Sequence, residues 1–241
     1  MSKNGAAIQF QDISLERGET LILKGITDTI YKGKITALVG PSGAGKTTLL
    51  KLCNGLISPT NGEIIVDQHP ITEFEPTTLR RQVGIVLQNA PMIRGSVFDN
   101  LALPIKLQRS NLHTEEAISM LNNVGLDESF LTRDAYELSG GQKQKVAIAR
   151  TLMNRPKILL LDEITSALDP VSKGEIEQLI RKINKEYGVT IIWITHNLQQ
   201  AKDIGDFIWV MMKGQLVESG DKSIFEHTKN SKVQQFFEGK F

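Results

Sequence analysis

Cysteine is nearly absent from this chain: Cys53 stands alone among 241 residues. An intrachain disulfide is therefore excluded, and so is a zinc site built on paired cysteines. The usage fits a reducing compartment, and Cys53 reads as a small core residue rather than a reactive thiol. Excess charge is also missing. Twenty-eight basic residues face 27 acidic ones, leaving a net charge of +1, so no basic footprint for nucleic acid is present. Long hydrophobic runs are lacking as well. Ile158 to Leu161 and Phe207 to Met212 are strand-length, far short of the roughly 20 residues of a membrane helix. The N-terminal Met-Ser-Lys-Asn-Gly-Ala-Ala lacks the apolar core of a signal peptide, so the chain is expected to be soluble. A membrane-embedded partner is compatible with that. Repeats and low-complexity linkers are absent, and the four histidines (His69, His113, His196 and His227) show no metal-ligand spacing.

What the chain does have is a glycine-rich segment in a telling place. Gly40-Pro41-Ser42-Gly43-Ala44-Gly45-Lys46-Thr47 fits the pattern of a phosphate-cradling loop. The apolar run Ile35 to Val39 before it predicts a buried strand, and Thr47 to Leu52 after it predicts a helix start. A strand, a glycine-rich turn and a helix N-terminus together aim backbone N–H groups at an anion. Lys46 can reach the β- and γ-phosphates of a nucleotide. Thr47 offers a hydroxyl to Mg²⁺, which prefers oxygen ligands, and Thr48 can touch the α-phosphate. A bare Gly-rich turn would not need all of these positions at once.

Downstream, Ile158-Leu159-Leu160-Leu161-Asp162-Glu163 ends a buried-type strand in two carboxylates. In open α/β sheets ligands bind beyond that strand end. Asp162 suits Mg²⁺, and Glu163 suits the base that polarises an attacking water. Gln88 closes a strand expected over 83–88, where its neutral amide can touch Mg²⁺ or water. His196 closes the strand expected over Val189 to Thr195, where it can hydrogen-bond the γ-phosphate. Leu138-Ser139-Gly140-Gly141-Gln142 opens a second glycine-rich helix, running to Asn154, and suits a second anion contact. One chain with one cradle and a second phosphate-facing helix end suggests two chains packed head to tail.

The remaining pattern predicts short strands over 8–34 and a strand over 62–67. Helical spacing covers 96–137, with Gly125 as a stop. Asp169-Pro170 opens a helix that Gly188 ends, and a hairpin follows over Phe207 to Ser219. Strand–helix alternation implies an α/β fold with a largely parallel sheet. The expected architecture is a P-loop NTPase core with an N-terminal antiparallel β subdomain and an inserted α-helical subdomain. The division expected is one domain over 1–241, its core at 1–88 and 156–241 and its helical part at about 89–155.

These motifs, with Ser166-Ala167-Leu168-Asp169, make the chain resemble the ATP-binding subunits of ATP-binding-cassette transporters over about residues 8–220. The resemblance implies an ATPase that uses ATP and Mg²⁺. Asp169 joins the nucleotide-binding residues on the same ground. It further implies a homodimer closing on two ATP, an integral membrane permease as partner, and a place on the cytoplasmic side of the plasma membrane. The segment Gln88 to Leu101 is similar to that of small bacterial cassettes of the Fet iron-export type, related to phosphate importers. Three positions depart from the family pattern: Arg17 stands where an aromatic usually stacks on adenine, Ile164 replaces a proline, and Lys145 replaces an arginine. A soluble cassette ATPase of DNA repair or translation would carry coiled coils, cysteine pairs or a second cassette. A simple P-loop kinase would not need Ser139 to Gln142.

Overall fold

The computed structural model describes residues 5–240. The first four residues of the N-terminal stretch considered above lie outside that range. Alternating apolar residues build the first layer. In β1 (Ala6–Arg17) Ile8, Phe10 and Ile13 point inward, and in β2 (Thr20–Tyr31) Leu23, Ile26 and Ile30 do the same. The two strands pair antiparallel. Short strands were expected here; these are 12 residues each, and bulges such as the one at Asp12 (φ 51°) bend them instead of ending them.

Next come β3 (Ile35–Val39), α1 (Lys46–Cys53), β4 (Asn61–Val66), the two-residue β5 (His69–Pro70) and α2 (Pro76–Gln82). β6 (Val83–Val86) is shorter than expected, so Gln88 lies two residues beyond its end. The inserted helices are α3 (Val97–Leu107), α4 (Thr114–Asn123) and α5 (Gly140–Leu152). Ser96 with Asp99 and Ser139 with Gln142 form reciprocal capping boxes that start α3 and α5. Then follow β7 (Ile158–Asp162), α6 (Pro170–Tyr187), β8 (Thr190–Ile194), α7 (Leu198–Ile204), β9 (Phe207–Met212), β10 (Gln215–Asp221), α8 (Ile224–His227) and α9 (Ser231–Phe237).

Two sheets result. One is antiparallel, in the order β2-β1-β4-β5. The other runs β10-β9-β3-β8-β7-β6. It is parallel throughout except for β10, which pairs antiparallel with β9. The central strands are buried on both faces, which explains their unbroken apolar runs. Along β7, Leu159 and Leu161 face a core shared with α5 and α6. Ile158 and Leu160 face a second core shared with β1, β2 and α1. Cys53 is fully buried in that second core, and burial pushes its thiol pKa up. Among the described residues no helix is long and apolar enough to cross a membrane.

At the edge opposite the phosphate loop, Asp67 holds both Lys32 and Lys157, the latter at 2.7 Å. The hydrogen bond from Lys157, then that from Lys32, lowers the Asp67 pKa to about 2. A folded pKa below the unfolded one adds stability at higher pH that is lost as the carboxylate protonates. Asp67→Asn is therefore expected to destabilise by about 0.5–1 kcal/mol near neutral pH, the range of partly exposed pairs. The gap to wild type should close between about pH 5 and pH 2. Urea unfolding across that window checks this, and a gap independent of pH would refute the ionic explanation.

Candidate active site

The phosphate loop owes its shape to glycines. Gly40 has φ 146°, and a Cβ there would lie 2.0 Å from the Met211 carbonyl oxygen. Gly45 is left-handed at φ 96° and immediately precedes α1. Only glycine takes both positions without displacing β9 or the hairpin side chain of Leu23. The loop thus presses against β9 and β2 while its Ser42 and Gly43 stay exposed.

Lys46 opens α1 and is buried. Its Nζ donates to the carbonyls of Gly40 at 2.8 Å and Pro41 at 2.9 Å. Burial lowers its pKa, against the raising influence of Glu163 and Asp162. The ammonium thus rests on its own loop, its charge facing the two carboxylates. Thr47 Oγ1 donates to Asp162 Oδ1 at 3.0 Å. Residues 115 apart in sequence are joined because α1 leaves the C-terminal edge of β3 and Asp162 ends β7 on the same edge. Desolvation raises the Asp162 pKa; the Thr47 hydrogen bond works against it, and neighbouring Glu163 adds to it. Thr48 follows in the first turn of α1 and is half-buried.

Glu163 adopts a left-handed backbone, φ 52°. A residue with a Cβ pays of order 1–3 kcal/mol for such a conformation, which persists where surrounding structure imposes it. Its N–H donates to the Ile194 carbonyl at 3.2 Å, tying it to the neighbouring strand. The turn presents the carboxylate to His196, whose Nε2 lies 2.6 Å from Glu163 Oε1. The contact requires a proton on Nε2, with the ring donating to the carboxylate. Gln88 Nε2 donates to Ser166 Oγ at 3.0 Å, and Ser166 Oγ donates in turn to the Glu163 carbonyl at 2.9 Å. Glu163, His196 and Gln88 therefore form one cluster beside the Thr47–Asp162 pair. The sequence placed Ser166 in the Ser166-to-Asp169 motif without a role; only the fold shows that it links Gln88 to the Glu163 turn.

Ser139 to Gln142 stand elsewhere. The Ser139 N–H donates to Gln142 Oε1 at 3.0 Å, and Ser139 Oγ accepts from the Gln142 N–H at 3.3 Å. Ser139 and Gly140 are exposed. A Cβ on Gly141 would lie 2.7 Å from Ser172 Oγ in the first turn of α6. Asp169 caps that same helix, accepting from the N–H groups of Val171 and Ser172 at 3.0 Å each. Hydrogen bonding by Ser172 lowers its pKa. Among the described residues no hydrogen bond or ion pair joins 139–142 or Asp169 to the phosphate loop of the same chain. Arg17 is exposed at the tip of the β1–β2 hairpin, and among the described residues its side chain makes no hydrogen bond or ion pair.

The donor set suits Mg²⁺. Thr47 and Asp162 bring a hydroxyl and a carboxylate together, both oxygen donors of the kind a hard cation takes. Among the described residues no group of three or more His, Cys, Asp or Glu could hold a metal alone. An ion here would complete its shell with water and phosphate oxygens, the usual arrangement for Mg²⁺.

The family model described as ABC transporter matches residues 23–166. The chain is 41% identical over 243 residues to YjkB of Bacillus subtilis (strain 168), named as an ABC transporter ATP-binding protein; the match covers 99% of this chain and 96% of that one. It is 40% identical over 242 residues to the methionine import ATP-binding protein MetN 1 of Staphylococcus aureus (strain MRSA252), covering 95% and 70%. Among solved structures, cbiO1 of Clostridium perfringens, part of the ABC transporter complex cbiONQ, superposes with a TM-score of 0.82 at 32% identity, covering 90% of this chain and 89% of that one. A dimeric post-hydrolysis state of the ATP-binding cassette MJ0796, bound to ADP and Pi, superposes with a TM-score of 0.79 at 31% identity, covering 89% and 98%.

Proposed function

The chain belongs to the ABC transporter ATP-binding family, and on that premise we propose that it is the ATP-hydrolysing subunit that drives solute import through a separate membrane permease. The observation that carries the hydrolytic reading is the cluster at the C-terminal edge of the parallel sheet. There Thr47 of the phosphate loop meets Asp162, Glu163 meets His196, and the Lys46 charge faces both carboxylates.

Each residue has a task. Lys46 swings from the Gly40 and Pro41 carbonyls to the β- and γ-phosphate oxygens. Thr47 and Asp162 would hold Mg²⁺, and the Gln88 amide would reach it or the attacking water. Bound there, the ion would withdraw charge from the phosphates. Glu163 takes a proton from the attacking water, and His196 moves from the carboxylate to the γ-phosphate. Ser139, Gly140, Gly141, Gln142 and Asp169 act on the nucleotide of a partner copy, since they do not reach their own loop. The catalytic unit is then a head-to-tail homodimer, and MJ0796 is itself dimeric in the structures named above.

Import is favoured by the relatives: MetN 1 is named for methionine import at 40% identity. The second reading, iron export, rests on the resemblance of the segment Gln88 to Leu101. Vesicle transport with a multi-span membrane protein that co-purifies with this chain separates the two by direction and cargo. The permease would hold the chain at the cytoplasmic face of the plasma membrane.

The segment after Gln88 is the proposed permease contact. Pro91 lies open there, but Met92 is half-buried, with Tyr136 Oη donating to its carbonyl at 3.2 Å. Arg150 Nη2 donates to the Pro91 carbonyl at 2.7 Å, and fully buried Asn100 bonds both polar backbone groups of Ile93. The segment is thus a shaped surface held by α3 and α5. Met92→Asp is expected to keep basal ATPase within about threefold and cut permease-stimulated ATPase at least about tenfold, the effect of one misplaced buried charge. Met92→Leu should behave as wild type. Unchanged stimulation in Met92→Asp would place coupling elsewhere.

A further inference from the structure

We propose that Gln200 is a positioning residue for hydrolysis, its buried carboxamide setting the Glu163–His196 pair by joining the two segments that carry it. The inference rests on the roles given to Glu163 and His196 above. Gln200 lies on α7 and is 4% exposed. Its Oε1 accepts from Thr195 Oγ1 at 2.5 Å, and Thr195 immediately precedes His196. Its Nε2 donates to Thr165 Oγ1 at 3.2 Å, and Thr165 is two residues past Glu163. The other amide proton goes to Glu177 Oε1 on α6 at 2.7 Å. Thr195 Oγ1 also accepts the Asn197 N–H at 3.0 Å, so the backbone on both sides of His196 is held. Thr165, Thr195 and Gln200, with Lys173, Glu163 and His196, line one cavity of about 260 Å³.

The chemistry selects a carboxamide. Thr195 donates its hydroxyl proton to Gln200 while its oxygen accepts from the Asn197 N–H. Glu177 offers only acceptors. The residue between them must therefore accept on one atom and donate on the other, which glutamine does and glutamate or leucine does not. Burial strengthens each of these bonds and makes each partner depend on the others. If Gln200 loses one side, the Glu163 N–H bond to the Ile194 carbonyl still joins the two segments, but the turn at Thr165 and the strand end at Thr195 lose the link beyond it and gain room to shift. The Glu163–His196 contact, at 2.6 Å, has no slack for that.

The test uses the full chain with Mg-ATP. Gln200→Leu and Gln200→Glu are expected to lower kcat by about 10–100-fold, the scale of an ångström-level misplacement of catalytic groups. ATP affinity should hold within about threefold, since Lys46 and its loop do not touch this network. The double variant Gln200→Glu with Glu177→Gln exchanges donor and acceptor while conserving net charge. It is expected to return kcat to within about threefold of wild type. A second readout is independent of turnover. The imidazole resonance of His196 should move in both single variants and return in the exchanged pair, while those of His69, His113 and His227 stay. The proposal is overturned if the single variants keep wild-type kcat, or if the exchanged pair is as poor as Gln200→Glu. Should Gln200→Leu fail to fold, the exchanged pair decides. Wild-type turnover in Glu163→Gln would sink the catalytic assignment instead, leaving the His196 resonances to report on the network alone.

Discussion

Glu163→Gln is expected to bind ATP as wild type does and to hydrolyse it slower by about 10²–10⁴-fold, the usual contribution of a general base. The amide keeps the size of the side chain, and its oxygen can still accept from His196 Nε2, which now lies 2.6 Å from the carboxylate. What disappears is the basic lone pair that takes the proton of water. Lys46, Thr47 and Asp162 are untouched, so the phosphates and the ion should still be held. Trapped before hydrolysis, the variant should accumulate as an ATP-bound dimer. Phosphate release and size-exclusion chromatography with Mg-ATP measure both effects. Steady-state hydrolysis at the wild-type rate would remove Glu163 from the mechanism.

The second large effect concerns shared sites. Lys46→Ala and Ser139→Arg are each expected to abolish hydrolysis, for different reasons. Lys46 is the only cation that the phosphate loop itself supplies, and its charge faces the Asp162 and Glu163 carboxylates. Arginine at Ser139 destroys the cap of α5 and fills the exposed helix end. Each lost element is intact in the other variant. A mixed dimer of twofold symmetry then rebuilds one site, and an equimolar mixture should recover about a quarter of wild-type activity if the sites act independently. The rate should fall faster than in proportion to protein as dilution separates the chains. A rate strictly first order down to monomer concentrations would mean that one chain suffices.

How much of this was legible beforehand depended on the kind of signal. The phosphate loop was legible because its glycines are demanded by backbone geometry: Gly40 and Gly45 occupy conformations that a Cβ would obstruct. The cap at Asp169 was legible too, since it acts on N–H groups two and three residues away. Strand β7 announced itself because both its faces are covered, leaving no place for a polar residue before Asp162. Longer-range features were less visible. The helical stretch 96–137 proved to hold two helices and irregular segments, because its apolar residues serve a core assembled from α3, α4 and α5 together. Nothing local tells that Met92 will pack against that core, or that Tyr136, 44 residues away, will reach its carbonyl.

The sequence by itself determined the α/β class, the anion cradle, the carboxylates at a strand end and the apolar faces that fold the sheet. Each follows from interactions within a few residues or from a simple period. Tertiary structure decided which of these residues meet. It joined Thr47 to Asp162 across 115 residues and Gln88 to Ser166 across 78. It turned Glu163 into a left-handed conformation toward His196 and set Ser139 to Gln142 against α6 rather than the phosphate loop. It also gathered Thr165, Thr195 and Gln200 into one buried network. The physical reason is common to all of them. A parallel sheet brings the ends of distant strands to one edge, and polar groups buried there must find partners wherever the fold has placed them.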